Sequence, residues 1–389
     1  MQFFRRFSSE ILSRSFNPAA YSSFRLHSSV AGGCPNEVEN VEKLEEDLFG
    51  REVGRDWVEK STKRFRSYKH AQKKAKPDEK SPKIELKTDK KTNLSYRDLA
   101  YRDPTIRDAM MLLRSGKKQK NEGLLLVEGR RLIEEALKAN IQMEKLFFSR
   151  PEELEELLEP LKRASKAELF RITYRDLQLW SQLTTSPGLL AIFQRPKNVV
   201  SKAQNILPIS VICDNIREPN NLGSAIRICA ALPCREVIVM KGCTDPFDAK
   251  SLRGGAGAQF QIPIRYPVNW EDLPDILPPE NSVFISESSV KKATTNAHPP
   301  LDVAEFSLPN LGTDHHFSVV IGGETHGVSP EAYKLLRLYE SSSCLHIPIS
   351  EAVESLNTAS ALAVILFELR RKIIVQRKAE NSVESSDEE

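Results

Sequence analysis

Residues 346–361, HIPISEAVESLNTASA, have the pattern of a strand end, a tight loop and the start of a helix. Ile347 suits a buried strand, and Pro348 prevents that segment from being helical. Ser355 stands where an N-cap would precede the apolar run from Leu356 to Leu369. On its own, the stretch fits an ordinary strand-to-helix turn with a serine cap.

Two upstream loops have the same character, because each follows an apolar run typical of a strand. The loop 214–227, DNIREPNNLGSAIR, follows Ile209–Cys213, and the loop 321–329, IGGETHGVS, continues the run Phe317–Ile321. In this order and at these separations, the three stretches resemble the motifs of the SpoU (TrmH-like) RNA ribose 2'-O-methyltransferases of the SPOUT class. The resemblance implies an α/β catalytic domain whose parallel sheet is tied in a deep trefoil knot.

The resemblance also implies the chemistry of these loops, with S-adenosylmethionine as cofactor and a ribose 2'-hydroxyl as nucleophile. The residues that match the family's polar catalytic positions are Asn221, Arg227, Glu324, Ser355 and Asn357. The residues that match its cofactor-binding positions are Gly322, Gly323, Ile347 and Leu356. The two glycines are expected to let the main chain approach adenosine closely. Because a guanidinium is a poor base, Arg227 is assigned to positioning phosphate and ribose.

The leading hypothesis for the substrate is mitochondrial large-subunit rRNA, free or in a pre-ribosomal particle, methylated at a guanosine in support of mitochondrial ribosome assembly. It rests on residues 241–258, which resemble the mitochondrial large-subunit rRNA methyltransferase group of the family. Two alternatives remain open: a mitochondrial tRNA 2'-O-methyltransferase, and a non-catalytic RNA-binding assembly factor. The intact polar residues argue against the second, whereas the motifs do not separate rRNA from tRNA.

A smaller α/β domain is predicted over residues 104–196, ahead of a catalytic domain over residues 197–378. Strand and helix patterns alternate there, beginning with a buried strand at Gly123–Gly129. The segment LVEGRRLIEEAL resembles the L30e-like substrate-binding domain of many SpoU enzymes. Arg130 and Arg131 are then candidates for RNA contact, although solvent-facing helix arginines are an equal alternative.

The amino-terminal region is predicted to carry targeting and RNA-binding functions. Residues 1–36 hold four arginines, one acid and eight serines, a composition typical of a mitochondrial transit peptide and hence of the matrix; a disordered cytosolic tail is the alternative. Residues 37–103 are predicted to be a disordered basic linker, since Arg55–Lys91 contains 14 Lys and Arg against 6 Asp and Glu. This arm either contacts RNA phosphates or serves only as a solvated link.

The remaining expectations concern composition and the carboxyl end. The longest apolar run, Ala361–Phe367, is too short to cross a membrane, and the six cysteines show no CxxC pair, so neither a membrane span nor a metal site is expected. The closing helix is apolar on opposite sides, which predicts a homodimer or full burial in one subunit. His315 and His316 are predicted to be exposed in a loop, and residues 379–389 to form a disordered acidic tail.

Overall fold

A computed structural model describes residues 86–114, 123–163, 166–197, 199–201, 203–288, 300–304, 315–340 and 342–387. These residues lie within one compact unit, Ile84–Glu389. The predicted transit peptide, and the predicted basic arm as far as residue 85, fall outside the described residues. Among the described helices, none combines the length and apolar character that a membrane span requires.

The first half of the unit is a six-stranded mixed sheet with the strand order β1-β2-β5-β4-β6-β3. Its strands are β1 (Leu86–Thr88), β2 (Ser95–Asp98), β3 (Leu124–Glu128), β4 (Met143–Phe148), β5 (Glu168–Arg171) and β6 (Leu189–Gln194). Its helices are α1 (Pro104–Arg114), α2 (Arg130–Lys138), α3 (Glu152–Glu155), α4 (Leu158–Arg163) and α5 (Tyr174–Trp180). Leu125 and Val127 face one core cluster and Leu126 faces another, so apolar layers cover both sides of the sheet.

The predicted linker ends earlier than the sequence indicated. β1 and β2 form a hairpin, and β2 pairs in parallel with β5 through Arg97 and Phe170. Tyr96 is buried against Phe148, with ring centroids 5.4 Å apart. The assignment of residues 86–103 to a disordered linker was therefore wrong, because a few apolar side chains among many charges suffice to add two edge strands to an existing sheet.

The second half is a seven-stranded, fully parallel sheet with the strand order β11-β13-β10-β12-β7-β8-β9. Its strands are β7 (Leu207–Asp214), β8 (Cys234–Met240), β9 (Ile264–Val268), β10 (Asn281–Ser286), β11 (Pro300–Asp302), β12 (His316–Gly322) and β13 (Ser343–His346). Its helices are α6 (Pro219–Ala231), α7 (Ala249–Gly255), α8 (Leu273–Ile276), α9 (Pro330–Leu336) and α10 (Thr358–Asp387). The predicted α/β class with a parallel sheet is confirmed.

The two halves share apolar contacts and polar links. Phe247, Leu252 and Phe260 belong to the core cluster that otherwise comprises residues of the first half. Arg195, just after β6, donates two hydrogen bonds to the Asp245 carboxylate at 2.7 and 2.9 Å. Its guanidinium also lies 4.7 Å from the centre of the Phe247 ring. We call Arg195, Asp245, Phe247, Leu252 and Phe260 the domain junction.

His316 is a buried residue of β12, so its assignment to an exposed loop was wrong. Its side chain is 2% exposed, and its Nε2 lies 3.0 Å from the Ser210 hydroxyl. Ser210 in turn donates to Glu236, which also accepts from Arg265. Burial, reinforced by the nearby charges of Arg235 and His315, lowers the pKa of His316 to about 4. The imidazole is therefore neutral in the folded protein at pH 7.

Stability is expected to depend on the protonation of His316. The folded-state pKa is below the ordinary value of 6.5, so its contribution is complete above pH 6.5 and is lost as the pH falls toward 4. The loss from this residue is about 3 kcal/mol in unfolding free energy. Urea unfolding at pH 7, 5.5 and 4 should show a shallower pH dependence for His316→Gln. Identical slopes for the variant and the wild type would contradict the assignment.

The closing helix begins and ends differently from the prediction. α10 starts at Thr358, and its N-cap is Asn357, whose Oδ1 accepts the Ala359 N–H at 3.0 Å. Ser355 lies two residues earlier, so the assignment of Ser355 as the cap was wrong. The helix continues to Asp387, in contrast to the predicted disordered tail, since a helix anchored by buried residues extends at little cost per added residue.

Candidate active site

Three loops meet at the carboxyl edge of the parallel sheet. The loops follow β7, β12 and β13, and each loop contains one of the three sequence motifs. Gly323 N donates to the Asp214 carbonyl at 3.1 Å, and the Thr358 hydroxyl donates to the Gly322 carbonyl at 3.2 Å. Ligands of parallel α/β sheets bind in the crevice beyond this edge, which makes it the candidate active site.

A polar group at this edge joins one residue from each motif. Asn221 Nδ2 donates to Glu324 Oε1 at 3.0 Å. Asn357 Nδ2 donates to the same oxygen at 2.6 Å and to Asn221 Oδ1 at 3.0 Å. We call Asn221, Glu324 and Asn357 the polar trio. These residues are 103 and 33 positions apart in the chain, so only the fold brings them together.

The trio also lies at two helix amino termini. Asn221 is in the first turn of α6, and Asn357 is the N-cap of α10. Helix amino termini carry partial positive charge and free N–H groups, which favour an anion such as a carboxylate or a phosphate. The Thr358 N–H adds a third contact to Glu324 Oε1 at 3.4 Å. Among the described residues, none donates a hydrogen bond to Glu324 Oε2, so this oxygen can accept one from a substrate.

Two predicted residues are not part of this hydrogen-bonded group. Arg227 is exposed on α6, about 9 Å farther along the helix axis than Asn221. It forms no hydrogen bond or ion pair with any other residue the structure describes. Ser355 is also exposed, although it lines the cavity next to the trio. The sequence assignments of these two side chains therefore remain predictions.

A cavity of about 520 Å³ opens beside the trio. It is bounded by the loops after β10, β12 and β13, and its wall includes all four predicted cofactor residues, Gly322, Gly323, Ile347 and Leu356. Pockets for small molecules measure about 300–1,000 Å³ and combine apolar walls with a few polar groups. The size and lining of this cavity fit a nucleoside cofactor such as S-adenosylmethionine.

The structural reason for the two glycines differs from the predicted one. A Cβ on Gly322 would lie 2.5 Å from the Gly327 carbonyl carbon, and a Cβ on Gly323 would lie 2.4 Å from the Asn215 carbonyl oxygen. Both clashes are with the backbone of the protein, so the glycines allow the loops to pack closely against each other. Their effect on a cofactor is exerted through the shape of the cavity wall.

A buried aspartate braces the loop after β12. Asp214, at the end of β7, accepts the Ser329 N–H at 2.6 Å and is 1% exposed. Burial raises the pKa of this carboxyl, while the hydrogen bond from the Ser329 N–H opposes that shift. This hydrogen bond holds Ser329, directly before α9, close to the end of β7.

Sequence reasoning missed a buried carboxylate in the cavity wall. Glu287 follows β10, is 7% exposed and accepts a hydrogen bond from the Tyr333 hydroxyl at 2.5 Å. Burial and this carboxylate raise the pKa of Tyr333, which keeps the phenol protonated. The available signal in the sequence is an acidic residue just after the β-type run Val283–Ile285, a position typical of the carboxyl end of a strand.

Comparison with known families gives two matches along the chain. Residues 208–367 match the model of the SpoU rRNA Methylase family, and residues 103–191 match the model of the MRM3-like substrate binding domain. The mitochondrial rRNA methyltransferase 3 of Mus musculus is 33% identical over 345 residues, covering 78% of this chain and 81% of the relative. The chain belongs to the SpoU rRNA methylase family. This membership confirms the predicted cofactor, S-adenosylmethionine.

Further members and solved structures agree with this assignment. The human mitochondrial rRNA methyltransferase 3 is 33% identical over 343 residues, with 78% of this chain and 80% of the relative covered. The SpoU methyltransferase AviRb of Streptomyces viridochromogenes, solved with its cofactor AdoMet, superposes with a TM-score of 0.57 at 24% identity and covers 70% of this chain and 99% of its own. An AdoMet-bound rRNA methyltransferase of Sinorhizobium meliloti gives 0.58 at 20% identity, covering 71% and 98%. The SPOUT-type fold of these SpoU members is thus present in this chain.

Proposed function

We propose that the protein methylates a ribose 2'-hydroxyl of mitochondrial large-subunit rRNA, using S-adenosylmethionine. The observation that carries the proposal is the polar trio, which lies beside a cavity of cofactor size at the carboxyl edge of the sheet. The matched mitochondrial relatives are named as rRNA methyltransferases, which favours rRNA over tRNA as the substrate. A guanosine target, the mitochondrial matrix and a role in ribosome assembly are parts of the same proposal.

The proposed role of the trio is to orient the ribose. Glu324 Oε2 accepts the hydrogen bond of the 2'-hydroxyl, while Asn221 and Asn357 hold Oε1 and so fix the carboxylate plane. A hydroxyl reacts only when its lone pair is held in line with the carbon it attacks, so this orientation supplies much of the catalysis. The flanking phosphate binds near the two helix amino termini, with Arg227 and Ser355 as further contacts.

The proposed cofactor site is the cavity wall. Gly322 and Gly323 shape the loop, and Ile347 and Leu356 supply apolar surface for an adenosine ring. When bound there, S-adenosylmethionine supplies an electrophilic methyl group. Glu287 is a further candidate contact, since a buried carboxylate suits a donor such as a ribose hydroxyl or an ammonium group.

The finer architectural expectations are also proposals. We place an L30e-like RNA-binding domain at residues 104–196 and the catalytic domain at 197–378. A trefoil knot in the catalytic domain is supported by the insertion of β12 between β7 and β10, and by the Thr358–Gly322 hydrogen bond that holds α10 against it. The transit peptide at residues 1–36 would deliver the protein to the mitochondrion.

The decisive experiment maps 2'-O-methylated nucleotides in mitochondrial rRNA and tRNA, in cells with and without this protein. Loss of one rRNA methylation, restored by the wild type, is the expected result. Loss of a tRNA methylation would replace the rRNA assignment with the tRNA alternative. Unchanged methylation with impaired assembly of the large subunit would support the non-catalytic assembly factor instead.

The functional form is proposed to be a homodimer formed through α10. Leu362, Ile365 and Leu366 pack into the core of their own subunit, which leaves Val364 at 42% and Phe367 at 57% exposure. Exposed apolar groups on a helix that is already packed on one side indicate a further partner. Sedimentation of the full chain should show a dimer that Phe367→Arg converts to monomer. A monomeric, active wild type would disprove the proposal.

A further inference from the structure

The first sheet carries a cluster of cations that differs from the arginines suggested by the sequence. Arg130 on α2 forms an ion pair with Glu156, so its charge is already balanced. Tyr101, between β2 and α1, is 43% exposed and has two guanidinium groups against its ring. The Arg102 guanidinium lies 5.2 Å and the Arg175 guanidinium 5.3 Å from the ring centroid. We call Tyr101, Arg102 and Arg175 the arginine-tyrosine cluster.

This cluster is held in place by a buried carboxylate. Arg102 has a left-handed backbone, with φ of 60°, which is uncommon for a residue with a side chain. Its N–H donates to the Asp176 carboxylate at 3.3 and 3.4 Å. Asp176 is 1% exposed and also accepts from the Thr173 hydroxyl at 2.9 Å. The turn that presents Tyr101 and Arg102 is therefore fixed to the start of α5, which carries Arg175.

In the described part of the chain, the guanidinium groups of the cluster have no carboxylate partner, in contrast to that of Arg97 in the same half of the protein. Arg97 pairs with Glu168 at 2.7 Å, whereas Arg102 and Arg175 form no ion pair with any carboxylate of the described residues. Their attraction to the Tyr101 ring orders both side chains without neutralising them. Two ordered guanidinium groups next to an exposed aromatic ring are suited to phosphate oxygens and to the face of an unpaired base.

We infer that the arginine-tyrosine cluster binds the backbone of a single-stranded segment of the RNA substrate. RNA is favoured over an acidic peptide because Arg175 lies within residues 103–191, the match to a substrate-binding domain, and Tyr101 and Arg102 directly precede that match. Tyr174 on α5 is a second exposed aromatic group, at 42%, next to Arg175. The inference rests on the proposed function, since it extends the RNA contact away from the ribose site.

The test measures RNA affinity against salt concentration. The full chain and its variants are titrated with a fluorescent single-stranded RNA oligonucleotide, by anisotropy, between about 50 and 200 mM KCl. Each lost phosphate contact on a single strand reduces the slope of log K against log salt by about 0.7. The double variant Arg102→Gln/Arg175→Gln should therefore lose about 1.4 from this slope and bind roughly 25-fold more weakly at 0.1 M salt.

The matched control is Arg97→Gln, which removes the same charge from an ion-paired arginine of β2. It should leave the slope within about 0.2 of the wild type, because a paired guanidinium releases few counterions. Equal slopes for the double variant and the wild type would overturn the inference, as would an equal loss per charge in Arg97→Gln. S-adenosylmethionine affinity and thermal unfolding of each variant establish that the fold is intact.

The experiments distinguish a failure of the RNA-contact assignment from a failure of the proposed function. If the wild type transfers no methyl group to any RNA, the proposed function fails, but a slope difference in the double variant still locates an RNA contact. If the wild type methylates rRNA and the double variant keeps its slope, only the cluster assignment fails.

Discussion

Asn357→Asp is expected to reduce methyl transfer by at least about 100-fold, the typical effect of losing one preorganised donor at a reaction centre. The aspartate retains the oxygen that caps α10 through the Ala359 N–H, so the helix should remain stable. However, it removes the Asn357 Nδ2 group, which donates to Asn221 and to Glu324. It also places a carboxylate oxygen at the position of Nδ2, which lies 2.6 Å from Glu324 Oε1. Single-turnover transfer of a labelled methyl group to rRNA measures the loss.

The control for this prediction is Asn220→Ala, which alters the residue next to Asn221. Asn220 is exposed, and within the part of the chain that the structure describes its side chain hydrogen-bonds only to Glu218, the N-cap of α6. Its removal should change methyl transfer less than about threefold, in line with a surface contact worth well under 1 kcal/mol. Wild-type activity in Asn357→Asp, or an equal loss in Asn220→Ala, would show that the trio does not orient the substrate.

Gly322→Ala is expected to weaken S-adenosylmethionine binding by roughly 5- to 150-fold, which corresponds to about 1–3 kcal/mol. The new Cβ would lie 2.5 Å from the Gly327 carbonyl carbon, so the loop after β12 must move away from its own backbone. Overpacking of this kind costs about 1–3 kcal/mol, and here the displaced segment is the cavity wall. Isothermal titration with S-adenosylmethionine and thermal unfolding separate loss of binding from loss of fold.

A matched control for Gly322→Ala is Gly123→Ala, directly before β3. Gly123 has φ of 63°, but a Cβ there would meet no atom within 4 Å. This variant should lose about 1 kcal/mol of stability through backbone strain and retain normal cofactor affinity. Normal cofactor affinity in Gly322→Ala would mean that the loop tolerates displacement and does not determine the cavity.

The elements that the sequence predicted well are those with strong local patterns. The runs before the motifs, Ile209–Cys213 and Phe317–Ile321, became β7 and β12 with one or two residues added at each end. Uniformly apolar runs bounded by loops are recognisable because both faces of a parallel strand are buried. The contact between Asn221, Glu324 and Asn357 was implied by the family resemblance. It follows from a parallel sheet in which β7 is next to β12 and only β10 separates β12 from β13.

The features that the sequence did not predict depend on contacts between distant segments. The pairing of β2 with β5 joins residues over 70 positions apart, and no local pattern in a charged stretch indicates it. Both Ser355 and Asn357 are good N-caps, so only the packing of α10 decided between them. The clash at Gly322 is similarly invisible in sequence, because it depends on the return of the chain at Gly327.

The domain junction has a consequence for how this protein can be divided and recombined. Phe247, Leu252 and Phe260 come from the catalytic half but fill the core of the other half, and each contributes roughly 2 kcal/mol when buried. Separating the chain near residue 197 would expose these side chains and break the ion pair between Arg195 and Asp245. The halves should therefore melt in a single cooperative transition, and exchange of the amino-terminal half with that of a relative should succeed only if this shared core is exchanged with it.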